Sequence, residues 1–530
     1  MRNHFDPPMS VRAIRAGCAV LLICTLYACG GGGSSAPTAP PTVTASALYT
    51  ISGAVTGLDA GATVGLSNNG ADQISVSGNG GFTFPTKMSS GFGYSVVVSA
   101  QPSRQICNVS NGSGVVGSTS VSNIAVTCSD NLPAETPTAR AGDANAVSLY
   151  LDGGRPLNTG SYSPNGIYAS VLVCSPGGAQ CAIIDHVLVD TGSIGLRLYA
   201  SAINGANPNL LAAMPQTSTS AGTVTGDCTA FGTGTTWGGV RNADLHWGGA
   251  NYTGETANDI PIQVISDTDP RLSTIPSSCS NQGVPMATVQ SLDANGIIGV
   301  GLRAQDCGPA CASYAYASYY QCDGTGCNPV MMPVSQQIPN PVSAMAGDNN
   351  GDMIVIPGLP TGGASTASGL LVLGIGTRSN NLFDSGSVVL GANQSNQFSA
   401  SFNGNTLPNS FIDSGSSVNF LASSGKVPLT ICGSHPNFIC PGSSITLTAN
   451  NTGTQGTSGS ANVLIVDAQQ SFTNQPGFSA VPGLSYALTG PVAEMDLGAS
   501  FFYGRVISTL IENQVATGMA VVGPAFGYTP

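Results

Sequence analysis

The sequence predicts a mostly β protein made of two or three packing units. Three observations carry this. The chain has 530 residues, more than one ordinary domain holds. Val, Thr, Ser and Gly dominate in short segments bounded by turn residues, which is a strand pattern. Only 8% of residues are charged and lysine occurs only at Lys87 and Lys426, so long helices lack good helix formers. The formal net charge of -12 excludes nucleic acid as an expected partner, because phosphate contacts need basic patches.

Residues 1-28 read as a targeting segment rather than as fold. Arg12 and Arg15 precede the apolar run from Ala16 to Tyr27, which is too short to span a bilayer comfortably. Leu26-Tyr27-Ala28-Cys29 follows, and it resembles a bacterial lipoprotein signal that is cut before Cys29 and lipidated there. The mature chain is therefore expected in the cell envelope, held to the membrane, with outer-membrane sorting, by lipid. Residues 29-47 are Gly, Ser, Pro and Thr with no apolar period, a flexible tether.

Of the 15 cysteines, Cys18 and Cys24 leave with the signal and Cys29 takes the lipid. Twelve remain, an even number that suits disulfides in an oxidising compartment. Cys107 with Cys128, Cys174 with Cys181, and Cys432 with Cys440 are near neighbours; Cys228 and Cys279 pair over a longer loop. Cys307, Cys311, Cys322 and Cys327 make two bridges of open connectivity, or a zinc site whose spacing fits no zinc pattern well. No metal or other cofactor is expected.

Residues 48-129 read as a small all-β module. Tyr49-Thr50-Ile51-Ser52, Ala62 to Leu66, Phe82-Thr83-Phe84 and Tyr94 to Val98 are strand-like, and Asn68-Asn69-Gly70 and Asn79-Gly80-Gly81 are turn signals. The module resembles the immunoglobulin-like β-sandwich spacers of bacterial surface proteins. Nothing in it carries chemistry, so a spacer or adhesion role is expected. Residues 130-144 are a Pro/Ala/Thr linker.

The rest of the chain is organised around two turns. His186-Val187-Leu188-Val189 is an apolar run that ends in Asp190-Thr191-Gly192-Ser193. Ser410-Phe411-Ile412 likewise ends in Asp413-Ser414-Gly415-Ser416. Ahead of the first turn, Gly166 to Cys174 and Cys181 to Val189 form a hairpin about Pro176-Gly177-Gly178 that a Cys174–Cys181 bridge would clamp. A third copy, Asp384-Ser385-Gly386-Ser387, lies too close behind the apolar strand Leu370 to Gly374 to leave room for such a hairpin.

With these residues in view, the chain resembles the pepsin-like aspartic proteases. There a hairpin leads into an apolar strand and then Asp-Thr-Gly-Ser, and a later apolar pair with glycine packs beneath each catalytic turn. Gly296-Ile297-Ile298-Gly299 fits the first half, Leu497-Gly498 the second. Ala230 to Thr235 with Trp237 looks like the family's flap hairpin. Leu370 to Gly374 looks like the strand that opens the second lobe, and Gly518 to Gly523 like the last strand. The resemblance covers roughly three-quarters of the chain, in order. It implies a two-lobed pepsin-like β-barrel/sheet architecture, with lobe one at 145-340 and lobe two at 341-530. The chain also resembles an uncharacterised family of proteobacterial lipoproteins of unknown function.

The resemblance implies catalytic roles for Asp190 and Asp413, which would activate one water for peptide hydrolysis without metal or covalent intermediate. Gly192 and Gly415 let the turns close on each other. Thr191 and Ser414 hydroxyls are placed to bond across the interface, and Ser193 and Ser416 to bond the outer carboxylate oxygens. Leu188, Val189, Phe411 and Ile412 would keep the pair dry. Phe231, Gly232, Thr233 and Trp237 form the substrate-facing flap, with Phe231 and Trp237 closing over a bound chain. The sequence departs from the family in three places. Phe231 stands at the flap position that usually carries Tyr, Ile194 replaces a common Ser, and Asp496 sits where an apolar residue belongs.

Asp348-Asn349-Asn350-Gly351-Asp352 resembles a calcium loop, but Met353 occupies the place where that loop needs Gly, so it reads as a tight turn. The expected activity is that of an aspartic endopeptidase acting on a polypeptide, as a monomer. Two alternatives stay open: a catalytically inactive relative that binds peptide or another ligand in the same cleft, and a surface adhesion or structural lipoprotein.

Overall fold

The computed structural model describes residues 47–59, 61–70, 72–102, 105–130, 137–154 and 163–530. The expected signal, Cys29 and nearly all of the tether lie outside these residues. The protein is mostly β, with 44% strand and 9% helix, as a chain poor in helix formers requires. Among the described residues no helix is long and apolar enough to cross a membrane.

The N-terminal module is two four-stranded sheets sharing one core. One sheet runs Gly80–Thr83, Ile51–Thr56, Val121–Asp130, Gln105–Ser110; the other runs Asp72–Val76, Val64–Asn68, Gly93–Ala100, Ser113–Val115. Alternate residues point inward, so Val55, Leu66, Phe84, Val96 and Val126 are buried together. Cys107 and Cys128 sit opposite each other on adjacent strands and are bridged. The module docks on the body through main-chain carbonyls: Ser365 and Thr366 hydroxyls donate to Ser99 O, and Ser368 donates to Gln101 O. Arg140 pairs with Asp59 at 2.9 Å.

The body holds a fifteen-stranded and a seven-stranded sheet. The fifteen-stranded sheet crosses the expected boundary at residue 340, because Ala146–Leu151 pairs with Ala367–Leu373 and that strand with Gly351–Ile356. The two halves also share one apolar core, which runs from Val147 to Tyr528. A shared sheet and core fix the halves relative to each other, as a site assembled from both requires.

Five of the six bridges among the described residues join cysteines no more than 21 positions apart. Cys174–Cys181 clamps the hairpin before Asp190, Cys228–Cys279 closes the longest loop, and Cys432–Cys440 lies in the second half. The four remaining cysteines pair as Cys307–Cys311 and Cys322–Cys327. One expected strand is absent. Gly518 to Gly523 keeps alternating burial, with Met519 and Val521 inside, but forms no ladder. The last strand is Ala525–Tyr528, paired with Arg505–Leu510 and Val388–Gly391. Burial alternation read in a sequence does not reveal whether a partner edge is free.

Candidate active site

The two motif turns are built the same way. Strand Cys181–Asp190 pairs in parallel with Gly296–Val300, placing Asp190 opposite Gly299. Ile194–Tyr199, which leaves the turn, pairs antiparallel with the other edge of the same strand. In the second half Asn405–Asp413 pairs in parallel with Asp496–Gly498, placing Asp413 opposite Gly498. Asn419–Ala422 meets the other edge, Phe420 opposite Asp496. Each late strand thus threads between the arms of an earlier turn. Glycine makes this possible: a Cβ on Gly299 would lie 2.5 Å from Ile194 N, and one on Gly498 would lie 2.1 Å from Val418 O.

The two aspartates meet. A Cβ on Gly192 would lie 2.7 Å from Asp413 Cγ, and one on Gly415 would lie 2.5 Å from Asp190 Oδ1. The carboxyls of Asp190 and Asp413 face each other across the seam and act on each other directly. Their inner oxygens each accept an amide within the turn, Gly192 N–H to Asp190 Oδ1 and Gly415 N–H to Asp413 Oδ1, both at 2.8 Å. Their outer oxygens accept hydroxyls, Ser193 Oγ at 2.5 Å and Ser416 Oγ at 3.1 Å. Thr191 and Ser414 bond across the seam between the turns. Val189 and Ile412 are fully buried beneath the pair. Asp190 is buried and Asp413 half-buried, while Gly192 is exposed, so the site opens on one side. Burial first, and then the nearby Asp190 charge, raise the Asp413 carboxyl well above the usual carboxylate range.

The hairpin Val224–Phe231 and Gly234–Trp247 turns at Gly232-Thr233. Phe231 is half-buried, and Gly232 and Thr233 are exposed at its tip. Trp237 is the correction. It does not stand free to close over a chain: its indole packs edge-on against Tyr320 and donates to Leu272 O at 2.9 Å. It lines a cavity of about 210 Å³ with Asp267, Leu272 and Met286, apart from the aspartate pair. An apolar ring beside two glycines reads alike whether it faces a ligand or a core.

Asp384 stays apart from the pair. Its carboxylate accepts its own turn's Gly386 N–H, a surface cap. Asp348 accepts from Arg378 and Thr377, so its carboxylate is engaged by protein donors. Among the described residues no group of three or more His, Cys, Asp or Glu side chains is arranged to hold a metal ion.

Residues 141–528 match the model of the family described as Protein of unknown function (DUF3443). The chain belongs to that family. A comparison with curated proteins finds no match. Among solved structures, an aspartic proteinase from Irpex lacteus matches with 13% identity and a TM-score of 0.38, over 72% of this chain and 96% of that one.

In this DUF3443 member two side chains that the sequence did not single out, Asn165 and Arg197, also shape the site. Asn165 is fully buried in left-handed backbone and ties the first half to the second. Its amide donates to Ser417 O, Val481 O and Ser500 Oγ, and its carbonyl accepts from Val481 N–H and the Tyr503 hydroxyl. Arg197 lies on the strand leaving the Asp190 turn, 1% exposed. It donates to Thr229 of the hairpin and to Asp306, and its guanidinium lies 3.8 Å from Asp227. Burial and the Asp227 charge push the Asp306 carboxyl up to about 7, against the pull of Arg197. The only sequence signal for Arg197 is that cations are scarce in this chain.

Proposed function

We propose that this protein hydrolyses peptide bonds with a water held between Asp190 and Asp413. One observation carries the reading: two carboxyls, delivered by two equivalent strand-turns, meet in a largely buried seam with one open side. Two carboxylates this close do not both ionise easily, so the pair shares a proton. The charged member takes a proton from water, and the neutral member donates to the peptide carbonyl oxygen. The water oxygen bonds to the carbonyl carbon, the C–N bond of the resulting diol breaks, and the leaving nitrogen takes up a proton. The Ser193, Ser416 and turn-amide hydrogen bonds orient both carboxyls for these transfers. The Arg12 to Cys29 pattern supports an envelope site reached by a lipid anchor, with unfolded or extended polypeptide as substrate.

The test is to incubate the mature protein with an unfolded polypeptide from acidic to neutral pH and follow fragments. Cleavage should occur and should be lost in both Asp190→Asn and Asp413→Asn. A folded wild-type protein that cleaves nothing overturns the reading, and peptide binding that survives both substitutions would favour a binding relative. Fatty-acid labelling, lost in Cys29→Ser, tests the anchor.

A further inference from the structure

Asp496 stands where the first half has an apolar residue. In the second half Asp496 pairs with Phe411, two positions before Asp413 meets Gly498. The equivalent first-half register pairs Ile297 with Leu188, two positions before Asp190 meets Gly299. The two halves therefore differ at one buried position beneath their aspartates.

The surroundings of Asp496 define its state. It is 6% exposed, and its Oδ1 has no hydrogen-bond partner. The hydroxyl that acts on its carboxyl is that of Ser416, which donates to Asp413 Oδ2 at 3.1 Å. The charged groups that act on it are Asp413, Glu494 and Asp190, all acidic. Its neighbours on the flanking strands, Phe411 and Phe420, are apolar. A charged carboxylate with an unpartnered oxygen in such a place is costly, and protonation removes the cost. Burial, then the Asp413 charge, accordingly raises this carboxyl well above its ordinary range.

Ser416 has one proton to give. If Asp496 were ionised, it would compete with Asp413 for that proton. If Asp496 is protonated, it donates to Ser416 Oγ, and the serine proton is left for Asp413. We propose that Asp496 is a positioning residue, a neutral carboxyl whose hydrogen bond to Ser416 commits the serine proton to Asp413 and makes Asp413 and Asp190 inequivalent. This rests on the peptidase reading of the pair. Asp496 itself touches no substrate.

Two variants of the full mature chain separate this from a packing role. Asp496→Asn keeps a donor to Ser416 but cannot ionise. Asp496→Leu restores the apolar character of the first half and removes the donor. At acidic pH, Asp496→Asn should keep kcat within about threefold, while Asp496→Leu should lose roughly ten- to a hundredfold with KM unchanged, the worth of one hydrogen bond to a charged group. The alkaline limb of kcat should lie at higher pH in Asp496→Asn than in wild type, because the amide never claims the serine proton. Equal losses in both variants, or an alkaline limb at or below that of wild type, overturn the proposal.

A readout independent of activity uses the pH dependence of thermal unfolding. A carboxyl whose folded value is raised costs stability as pH rises from its unfolded value to its folded one. Both variants should flatten that decline, and an unchanged slope overturns the proposal. A wild-type protein that cleaves nothing sinks the peptidase reading alone, because the unfolding comparison still decides whether Asp496 is held neutral.

Discussion

Thr191 and Ser414 hydrogen-bond each other's backbone across 223 positions of sequence. Thr191 N–H donates to Ser414 Oγ at 3.0 Å, and Ser414 N–H donates to Thr191 Oγ1 at 2.9 Å. Each hydroxyl then donates to a carbonyl in the opposite half, Thr191 to Ile412 O and Ser414 to Val189 O. Both side chains are buried, so no water replaces these bonds. The seam between the aspartates is thereby held by polar groups with every donor used.

Removing either hydroxyl leaves a buried amide and a buried carbonyl unpaired. Thr191→Val and Ser414→Ala should each destabilise the protein by about 2–4 kcal/mol in urea unfolding. Because the two act as one unit, the double variant should cost less than the sum, with a coupling of about 0.5–3 kcal/mol. Additive losses would show that the two halves are held by other contacts.

Gly192 and Gly415 are under steric rather than backbone constraint, since neither adopts positive φ. A methyl group at Gly192 would press on the Asp413 carboxyl, and one at Gly415 on that of Asp190. Gly192→Ala and Gly415→Ala should fold and yet lose on the order of a hundredfold in peptide cleavage, because the carboxyl must move to make room. Activity within a few-fold of wild type would show that the pair tolerates displacement.

The buried group of Arg197, Asp227 and Asp306 makes stability depend on pH. Asp306 titrates near 7 when folded and near 3.8 in the free side chain, so the folded state binds more protons between those values. Stability should therefore fall as pH rises from about 4 to about 7, and be constant with respect to this group outside that window. Asp306→Asn, which mimics the protonated acid, should flatten the fall and melt higher than wild type at pH 8 and above.

Asn165 gives the interface between the halves its polar centre. Asn165→Ala would leave Val481 N–H and the Tyr503 hydroxyl without this acceptor. The loss should exceed about 3 kcal/mol, since several buried groups lose a partner at once. Asn165→Asp keeps the acceptor but loses the amide donor to three oxygens, and should rescue little of that loss.

What could be read from residues alone was whatever is local. Strand-turn signals gave the β class, and near-neighbour cysteines such as Cys174 and Cys181 face each other across a single hairpin. The two Asp-Thr/Ser-Gly-Ser turns stood out because each follows an apolar run that has to be buried. Tertiary structure decided the rest. Trp237 looked like part of the flap and is a core ring, because Tyr320 reaches it from a later strand and Leu272 from a short helical turn. Nothing in the sequence marks Asn165, yet it is the partner of Val481 and Tyr503, more than 300 positions away. Asp496 looked like a blemish in an apolar strand; only the threading of that strand beneath the Asp413 turn brings it to Ser416. A sequence records short-range geometry because the chain itself enforces it. Which distant polar groups share one buried space is set by strand register, and a register between separate strands appears only when the whole core closes.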